Sequence, residues 1–227
     1  MAQQKAKITV VTARFSAFTT LLKMDEEQQE ITQELLVPQD IYLKTGIHIG
    51  TKFKTKDMLP FIYKTRQNGL SVLNIEKIDT RIRAASKLIS SYKDKDIIVC
   101  CRRENGWKAV KKFEKYTGIR TFAGRYPPGI LTNSNLETFT ETKLIIVVDV
   151  WPDRNAINDA IKMGIPVVAL SDTNKQFNNV DLVVPCNNKG KKSLGLVFYL
   201  LAKSYVQTQK KMKESDIPFT LEEFIEE

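Results

Sequence analysis

Short runs of apolar, mostly β-branched residues alternate with longer amphipathic stretches through the second half of the chain. Five of these runs predict β-strands, and they span residues 97–100, 119–122, 144–148, 165–170 and 182–184. Their apolar character is continuous instead of alternating, which is typical of strands that are buried on both faces of a parallel sheet. The pattern therefore predicts an α/β fold with helices on both sides of the sheet.

The amphipathic stretches between these runs predict the helices. Apolar residues recur at helical spacing from residue 78 to 92, and Asp79 and Thr80 are candidate N-caps. Further helices are predicted over residues 107–116, 154–163 and 193–213. Right-handed crossovers between the parallel strands then give a doubly wound, three-layer sandwich with about five strands.

Charge divides the chain into three parts. Residues 25–34 contain five acids and no base, and residues 214–227 contain six acids and no base. Between them, residues 35–213 hold 31 basic and 15 acidic side chains, a net charge of +16. We predict an N-terminal arm over residues 1–34, one α/β domain over 35–213 and an acidic tail. A body this positive favours a polyanionic partner.

The cysteines and apolar segments indicate the compartment. Cys100, Cys101 and Cys186 have no regular spacing, so we expect no disulfide framework and a reducing, cytoplasmic location. The apolar run at 194–202 is too short to span a bilayer, and the N-terminus has no signal-peptide pattern. The sequence therefore predicts no membrane partner.

An enzyme is the alternative interpretation, because doubly wound sheets often bind nucleotides at the carboxyl ends of their strands. The loop after the first parallel strand contains only Gly106, not the three glycines of a dinucleotide fingerprint. The segment 190–193 lacks the spacing of a phosphate loop, and His48 is the only histidine in the chain. We therefore expect no catalytic residue, metal, cofactor or small-molecule substrate, and keep a nucleotide-binding enzyme with an unrecognised site as the alternative.

Three titratable residues are interpreted structurally. Asp149 and Asp172 lie at or just after strand ends, where catalytic carboxylates can occur, but both lie in sequences that favour capping and turns. His48 is interpreted as a structural histidine or as a hydrogen-bond donor to RNA.

Basic residues form several clusters that suit a phosphate backbone. Lys52, Lys54 and Lys56 alternate, so in an extended chain they share one side at a spacing of about 6.6 Å. The candidate RNA-binding residues are Lys52, Lys54, Lys56, Lys64, Arg66, Arg102, Arg103, Lys108, Lys111, Lys112, Lys115, Arg125, Lys189, Lys191 and Lys192. No aromatic pattern for base stacking on a sheet face is present. The clusters favour a structured RNA recognised by shape and backbone.

Four motifs resemble one family and follow its order along the chain. They are YLKTGIHIG at 42–50, GRYPPGILTN at 124–133, GIPVVALSDTN at 164–174 and VPCNNKG at 184–190. On these motifs the chain resembles the second protein of the small ribosomal subunit in its archaeal and eukaryotic form, the family that includes the laminin receptor precursor. The similarity spans about residues 35 to 207.

The resemblance implies a flavodoxin-like sheet and a non-enzymatic constituent of the small ribosomal subunit. The implied partners are small-subunit rRNA, bound near the junction of head and body, and neighbouring ribosomal proteins. Bacterial members insert a helical hairpin after the Leu-Thr-Asn motif, whereas only ten residues separate Asn133 from Leu144 here. The long C-terminal extension of eukaryotic members is also absent, so the resemblance points to the archaeal type.

The chain departs from the family in two places. Family members often have Asp-Pro-Arg after the third strand, where this chain has Asp149-Val150-Trp151-Pro152-Asp153-Arg154. Asp159 stands where a glutamate is usual. These departures bear on local contacts and not on the implied fold.

Overall fold

A computed structural model describes residues 35–209 and 217–225 of the 227-residue chain. The predicted arm at 1–34 and the end of the last predicted helix, 210–213, lie outside these residues. From Leu36 onward the described residues belong to one compact unit.

The first described elements form a small subdomain ahead of the main sheet. Helix α1, Gln39–Thr45, ends at Gly46, whose φ of 68° lies in the left-handed region that suits glycine. A 3-10 helix, Lys56–Phe61, leads into strand β1, Ile62–Thr65, which pairs antiparallel with β2, Ser71–Leu73. The sequence did not predict this hairpin, because β1 is largely exposed and has no continuous apolar run.

Five parallel strands form the main sheet, and this confirms the predicted architecture. The strands are β3 (Ile97–Cys101), β4 (Arg120–Ala123), β5 (Leu144–Val147), β6 (Val167–Ser171) and β7 (Leu182–Pro185), in the spatial order β4-β3-β5-β6-β7. Every residue of β3, β5 and β6 is buried. Burial on both faces explains why these strands are apolar throughout.

Helices cover both faces of the sheet and complete the three layers. They are α2 (Ile75–Ser90), α3 (Glu104–Thr117), α4 (Arg154–Met163) and α5 (Lys191–Gln209). Cys100 packs in the apolar cluster beneath α4, whereas Cys101 Sγ would lie 2.6 Å from a Cβ at Gly106 in α3. The two cysteines therefore face opposite sides of the sheet, and all three cysteines are buried and unpaired.

The predicted N-cap of α2 is wrong. The helix begins one turn earlier, at Ile75, where the side chain of Asn74 accepts a hydrogen bond from the backbone N–H of Glu76 at 2.9 Å. Asp79 is instead buried, and accepts hydrogen bonds from the hydroxyl of Tyr42 at 2.7 Å and from the backbone N–H of Leu36 at 3.0 Å. The residue ties the start of the domain to α2.

The described part of the acidic C-terminal segment docks on the helices of the domain. Helix α6, Leu221–Ile225, and the preceding Phe219 place two buried phenylalanine rings, Phe219 and Phe224, against Tyr116 of α3 and Tyr199 of α5. A Cβ at Gly195 would lie 2.4 Å from the carbonyl oxygen of Phe224. Only glycine therefore permits this approach of α6 to α5.

Two expected absences concern the described residues. The ten residues between Asn133 and β5 form turns and contain no helix, so no helical hairpin follows the Leu-Thr-Asn motif. Among the described helices, none combines the length and apolar character needed to cross a membrane.

Candidate nucleic-acid interface

The carboxyl ends of the five parallel strands bring five loops together along one side of the sheet, which we call the carboxyl edge. These loops are residues 102–103, 124–129, 148–153, 172–176 and 186–190. In open α/β sheets, ligands bind at this edge where the strand order reverses. The reversal here lies between β3 and β5, because the chain passes from β3 outward to β4 and returns to β5 on the other side.

An internal ion pair spans this crevice. The guanidinium of Arg103, after β3, donates from Nε to Asp149 Oδ2 at 2.6 Å, and a second guanidinium nitrogen donates to the same oxygen. Lys175 Nζ lies 3.4 Å from Asp149 Oδ1, and the side chains of Asp149 and Lys175 are both almost fully buried. The position at which a doubly wound enzyme would bind its nucleotide is therefore filled by the protein's own charges.

The strand-end aspartates hold their loops, as predicted. Asp149 Oδ1 accepts from the backbone N–H of Trp151 at 3.2 Å, and Asp172 Oδ1 accepts from the backbone N–H of Thr173 at 2.6 Å. Asp172 also pairs with Lys189 Nζ at 3.0 Å. Both carboxylates thus stabilise turns. They also form ion pairs that the sequence did not predict, Asp149 with Arg103 and Lys175, and Asp172 with Lys189.

Thr173 fixes the first basic cluster beside the carboxyl edge. Its hydroxyl accepts from the backbone N–H of Thr51 at 2.9 Å, and its carbonyl accepts from the backbone N–H of Thr55 at 3.0 Å. A Cβ at Gly50 would lie 2.5 Å from Thr173 Cγ2, so the segment can approach only because residue 50 is glycine. The segment carries exposed lysines at positions 52, 54 and 56.

The Asn187–Gly190 loop fixes the basic cluster at the start of α5. Asn187 Oδ1 accepts from the backbone N–H groups of Lys189 at 3.1 Å and Gly190 at 3.3 Å. The buried Asn188 donates from Nδ2 to the carbonyl of Val148 at 3.2 Å, across the carboxyl edge. These bonds set the direction from which Lys191 and Lys192 extend into solvent.

The structure brings nine of the fifteen predicted RNA-binding residues to the carboxyl edge. Seven of them are exposed: Lys52, Lys54, Lys56, Arg102, Arg125, Lys191 and Lys192. The other two, Arg103 and Lys189, are engaged with Asp149 and Asp172. Two exposed acids, Glu104 and Asp57, lie in the same region. Because seven exposed cations stand against these two acids, the exposed charge there is strongly positive.

The remaining six predicted residues lie elsewhere. Lys64 and Arg66 are exposed on the β1–β2 hairpin, which Lys54 Nζ contacts through a 2.7 Å hydrogen bond to Thr65 Oγ1. The lysines at 108, 111, 112 and 115 follow α3 away from the edge, and the last lies about 16 Å along the helix axis from its first residue. Lys111, Lys112 and Lys115 therefore lie outside the edge cluster, whereas Lys108 lies about one turn, roughly 6 Å along the axis, from the start of the helix.

His48 has no catalytic surroundings. Its side chain is buried, its Nδ1 has no hydrogen-bond partner among the described residues, and burial lowers its pKa. Across residues 35–209 and 217–225, no group of three or more His, Cys, Asp or Glu side chains could hold a metal ion.

Asp153 is the buried carboxyl group at the edge whose pKa is raised, to about 7, chiefly by burial and further by the nearby Asp149. The unfolded value is 3.8, so between these pH values the native state holds a proton that the unfolded state has lost. Stability should therefore fall as pH rises from about 4 to 7, with a slope of at most about 1.4 kcal/mol per pH unit.

Asp153→Asn should remove this slope, which urea unfolding at a series of pH values measures. His48 has a lowered pKa and contributes with the opposite sign, so the difference between the two proteins isolates Asp153. Parallel pH profiles of the variant and the parent protein would contradict a protonated Asp153.

Sequence reasoning missed Lys175. It is 3% exposed although it lies in a polar loop, and its Nζ lies 3.9 Å from the ring centroid of Trp151. Nothing in the local sequence marks a buried lysine, because its partners Asp149 and Trp151 come from a different strand end.

Fold and site together define a class: an α/β protein with a cationic carboxyl edge and a closed ligand crevice. The model of the family described as ribosomal protein S2 matches residues 42–142 and 136–208. Small ribosomal subunit protein uS2 of Nanoarchaeum equitans is 43% identical over 192 residues, covering 84% of this chain and 96% of that protein.

Two further archaeal proteins of the same name are similar to this chain over most of its length. The one from Methanococcus maripaludis strain C5 is 42% identical over 194 residues, covering 86% of this chain and 88% of that protein. The one from Thermoplasma volcanium is 39% identical over 193 residues, covering 85% of this chain and 97% of that protein.

The chain belongs to the ribosomal protein S2 family and is of the archaeal type. The family is structural and non-catalytic, and this membership confirms the prediction that the chain is not an enzyme.

Proposed function

We propose that this chain is a structural constituent of the small ribosomal subunit that binds the subunit's rRNA through the carboxyl edge. Family membership supports the ribosomal role. The observation that supports this particular surface is the convergence of seven exposed cations from four separate chain segments onto one side of the sheet.

The charge balance of the carboxyl edge supports a polyanion as its ligand. Asp149, Asp153 and Asp172 of the strand-end loops are buried, and the first and last are paired with internal cations. The exposed lysines and arginines are therefore not neutralised by these carboxylates. Phosphate groups in RNA supply the missing negative charge, and binding releases their counterions.

Rigid loops make the edge suitable for a folded RNA. Thr173 holds the 50–56 segment, and the Asn187–Gly190 loop is held through Asn188 and through Asn105, which donates from Nδ2 to the carbonyl of Lys189 at 2.7 Å. Lysines on a fixed frame lose less conformational freedom on binding than lysines on a mobile loop. The edge therefore fits recognition of RNA by shape and backbone.

Further parts of the proposal follow the family. The rRNA contact lies near the junction of head and body, and neighbouring small-subunit proteins contact other surfaces of the domain, in the cytoplasm. The hairpin residues Lys64 and Arg66 and the four α3 lysines bind rRNA that extends beyond the edge. Residues 1–34 act as an appended arm, and residues 214–227 as a tail that avoids rRNA.

Sucrose-gradient fractionation of source-cell lysate tests the ribosomal role. At low salt the protein should sediment with the small subunits, and a high-salt wash should release it because phosphate contacts weaken as salt rises. Recovery of most of the protein at the top of a low-salt gradient would contradict the proposal. A thermal-shift panel with mononucleotides is the control for the enzyme alternative, and no shift is expected.

A further inference from the structure

Trp151 is a large aromatic side chain that is exposed at the carboxyl edge. It is 64% exposed and follows β5 at the mouth of the crevice between β3 and β5. Leaving so much indole surface in water forgoes the gain of burying it, and its loop has no need of an aromatic residue to form its turn. The exposed part of the ring is therefore accessible to a ligand that binds at the carboxyl edge.

The indole has a defined position. The backbone N–H of Trp151 donates to Asp149 Oδ1, and the carbonyl of Trp151 accepts from the backbone N–H of Arg154 at 3.4 Å. Lys175 Nζ lies 3.9 Å from the ring centroid and is held there by Asp149. One side of the indole thus rests on a buried cation, and the exposed remainder of the ring is presented to solvent.

Two exposed arginines lie in segments next to the loop that carries the exposed ring. Arg102 lies beside the loop, because its backbone donates a hydrogen bond to Asp153, and its guanidinium is exposed. Arg154, at the start of α4, is also exposed. The nearby carboxylates Asp149 and Asp153 are buried. An exposed aromatic ring with exposed arginines in the same loop region suits one nucleotide and its adjoining phosphates.

We propose that Trp151 stacks on one unpaired nucleotide of the rRNA that the carboxyl edge binds, with Arg102 and Arg154 contacting the adjoining phosphates. The inference rests on the proposed function and adds to it a single stacking site. That site lies in the strand-end loop that follows β5.

The ligand is a nucleotide within an RNA chain and not a free mononucleotide. The Arg103–Asp149 pair closes the crevice, so a free nucleotide finds only one open ring face. One stacking contact accounts for a factor of about 5 to 150 in affinity, far too little to hold a free ligand at ordinary concentrations. The other cations of the edge hold the RNA in place, and Trp151 adds to their binding.

The test uses the full chain and protein-free small-subunit rRNA from the same source. The chain has two tryptophans, so Trp107→Phe leaves Trp151 as the only indole, and Trp151→Phe leaves Trp107 as a matched control. Titration with rRNA should quench the fluorescence of Trp151 strongly and that of Trp107 weakly. A perfectly paired RNA duplex of equal length should leave Trp151 unquenched.

Affinity measurements separate stacking from other roles. Trp151→Ala and Trp151→Leu should weaken rRNA binding about 5- to 150-fold, whereas Trp151→Phe should restore most of the affinity. The salt dependence of binding should not change, because Trp151 has no charge. Trp151→Ala and Trp151→Leu also lose the contact of the ring with Lys175 Nζ, so their melting temperatures should fall slightly, whereas Trp151→Phe keeps an aromatic face over Lys175 and should melt near the parent's temperature.

Two results would overturn the stacking site while leaving the proposed function intact: full affinity of Trp151→Leu for rRNA, or unchanged Trp151 fluorescence at saturation. Full rRNA affinity combined with weaker retention in assembled small subunits would assign Trp151 to a protein neighbour, which also overturns it. Salt-independent binding by the parent protein would instead contradict the proposed function itself.

Discussion

Replacing Asp149 with Asn should lower the free energy of unfolding by about 3–5 kcal/mol, because it removes the negative partner of a buried cation. The side chain of Asp149 is fully buried and that of Lys175 is 4% exposed, so neither charge reaches water. Asparagine keeps the shape and one acceptor oxygen but leaves Lys175 without a counter-charge. Urea unfolding at neutral pH measures the loss.

An exposed ion pair just before strands β3 and β5 provides the control. Lys143 Nζ and Asp96 Oδ2 are 3.1 Å apart, but the side chain of the lysine is 67% exposed. Lys143→Ala should therefore cost less than about 1 kcal/mol. A loss of under 1 kcal/mol for Asp149→Asn as well would show that the crevice is open to water and that the closed crevice described above is wrong.

Changing Lys52, Lys54 and Lys56 together to Ala should reduce the salt dependence of rRNA binding. For the parent protein, contact with about six to ten phosphates predicts a loss of about 10³- to 10⁵-fold in affinity between about 50 and 200 mM salt. Each lost phosphate contact lowers the slope of log affinity against log salt by about 0.7 to 0.9. The triple variant should therefore lose about two to three units of slope.

A matched triple variant separates local contact from overall charge. Lys87, Lys93 and Lys95 are exposed near the amino ends of the strands, so changing them to Ala removes the same charge from the opposite side of the sheet. This variant should keep the parent's slope within one unit. Equal losses for the two triple variants would mean that RNA binding depends on net charge and not on the carboxyl edge. Filter binding over a salt series measures both.

The parallel sheet was predictable because its strands are buried on both faces. β3, β5 and β6 consist of apolar residues throughout their length, and a run of this kind between helical stretches admits few other interpretations. The antiparallel hairpin was not predictable in the same way. Its strand β1 is exposed at three of four positions, and its partner β2 is held from the other side by backbone hydrogen bonds to residues 48–51, which only tertiary structure creates.

The error at Asp79 has a specific cause. Aspartate before an apolar periodic stretch is typical of an N-cap, and the sequence offered no sign that Tyr42, 37 residues earlier, donates a hydrogen bond to this carboxylate. Asn74, the true cap, precedes the first apolar residue of the helix by one position. A tertiary hydrogen bond thus determined the role of a residue whose local pattern favoured another.

The candidate site was predictable as a set of clusters but not as a surface. Lys52 and Lys192 are 140 positions apart, and nothing in either segment indicates that both reach the same side of the sheet. Thr173 joins the first segment to the carboxyl edge, and Asn187 holds the second. The four α3 lysines looked equally suitable in sequence, but the helix directs them away from the edge.

Lysine footprinting on the complex with rRNA tests most directly whether the carboxyl edge is the RNA-binding surface. The protein is treated with an amine-acetylating reagent alone and with protein-free small-subunit rRNA, and modification is read by mass spectrometry. Lys52, Lys54, Lys56, Lys191 and Lys192 should become strongly protected, while Lys87, Lys93 and Lys95 stay reactive. Protection of the second group with full reactivity of the first would contradict RNA binding at this edge.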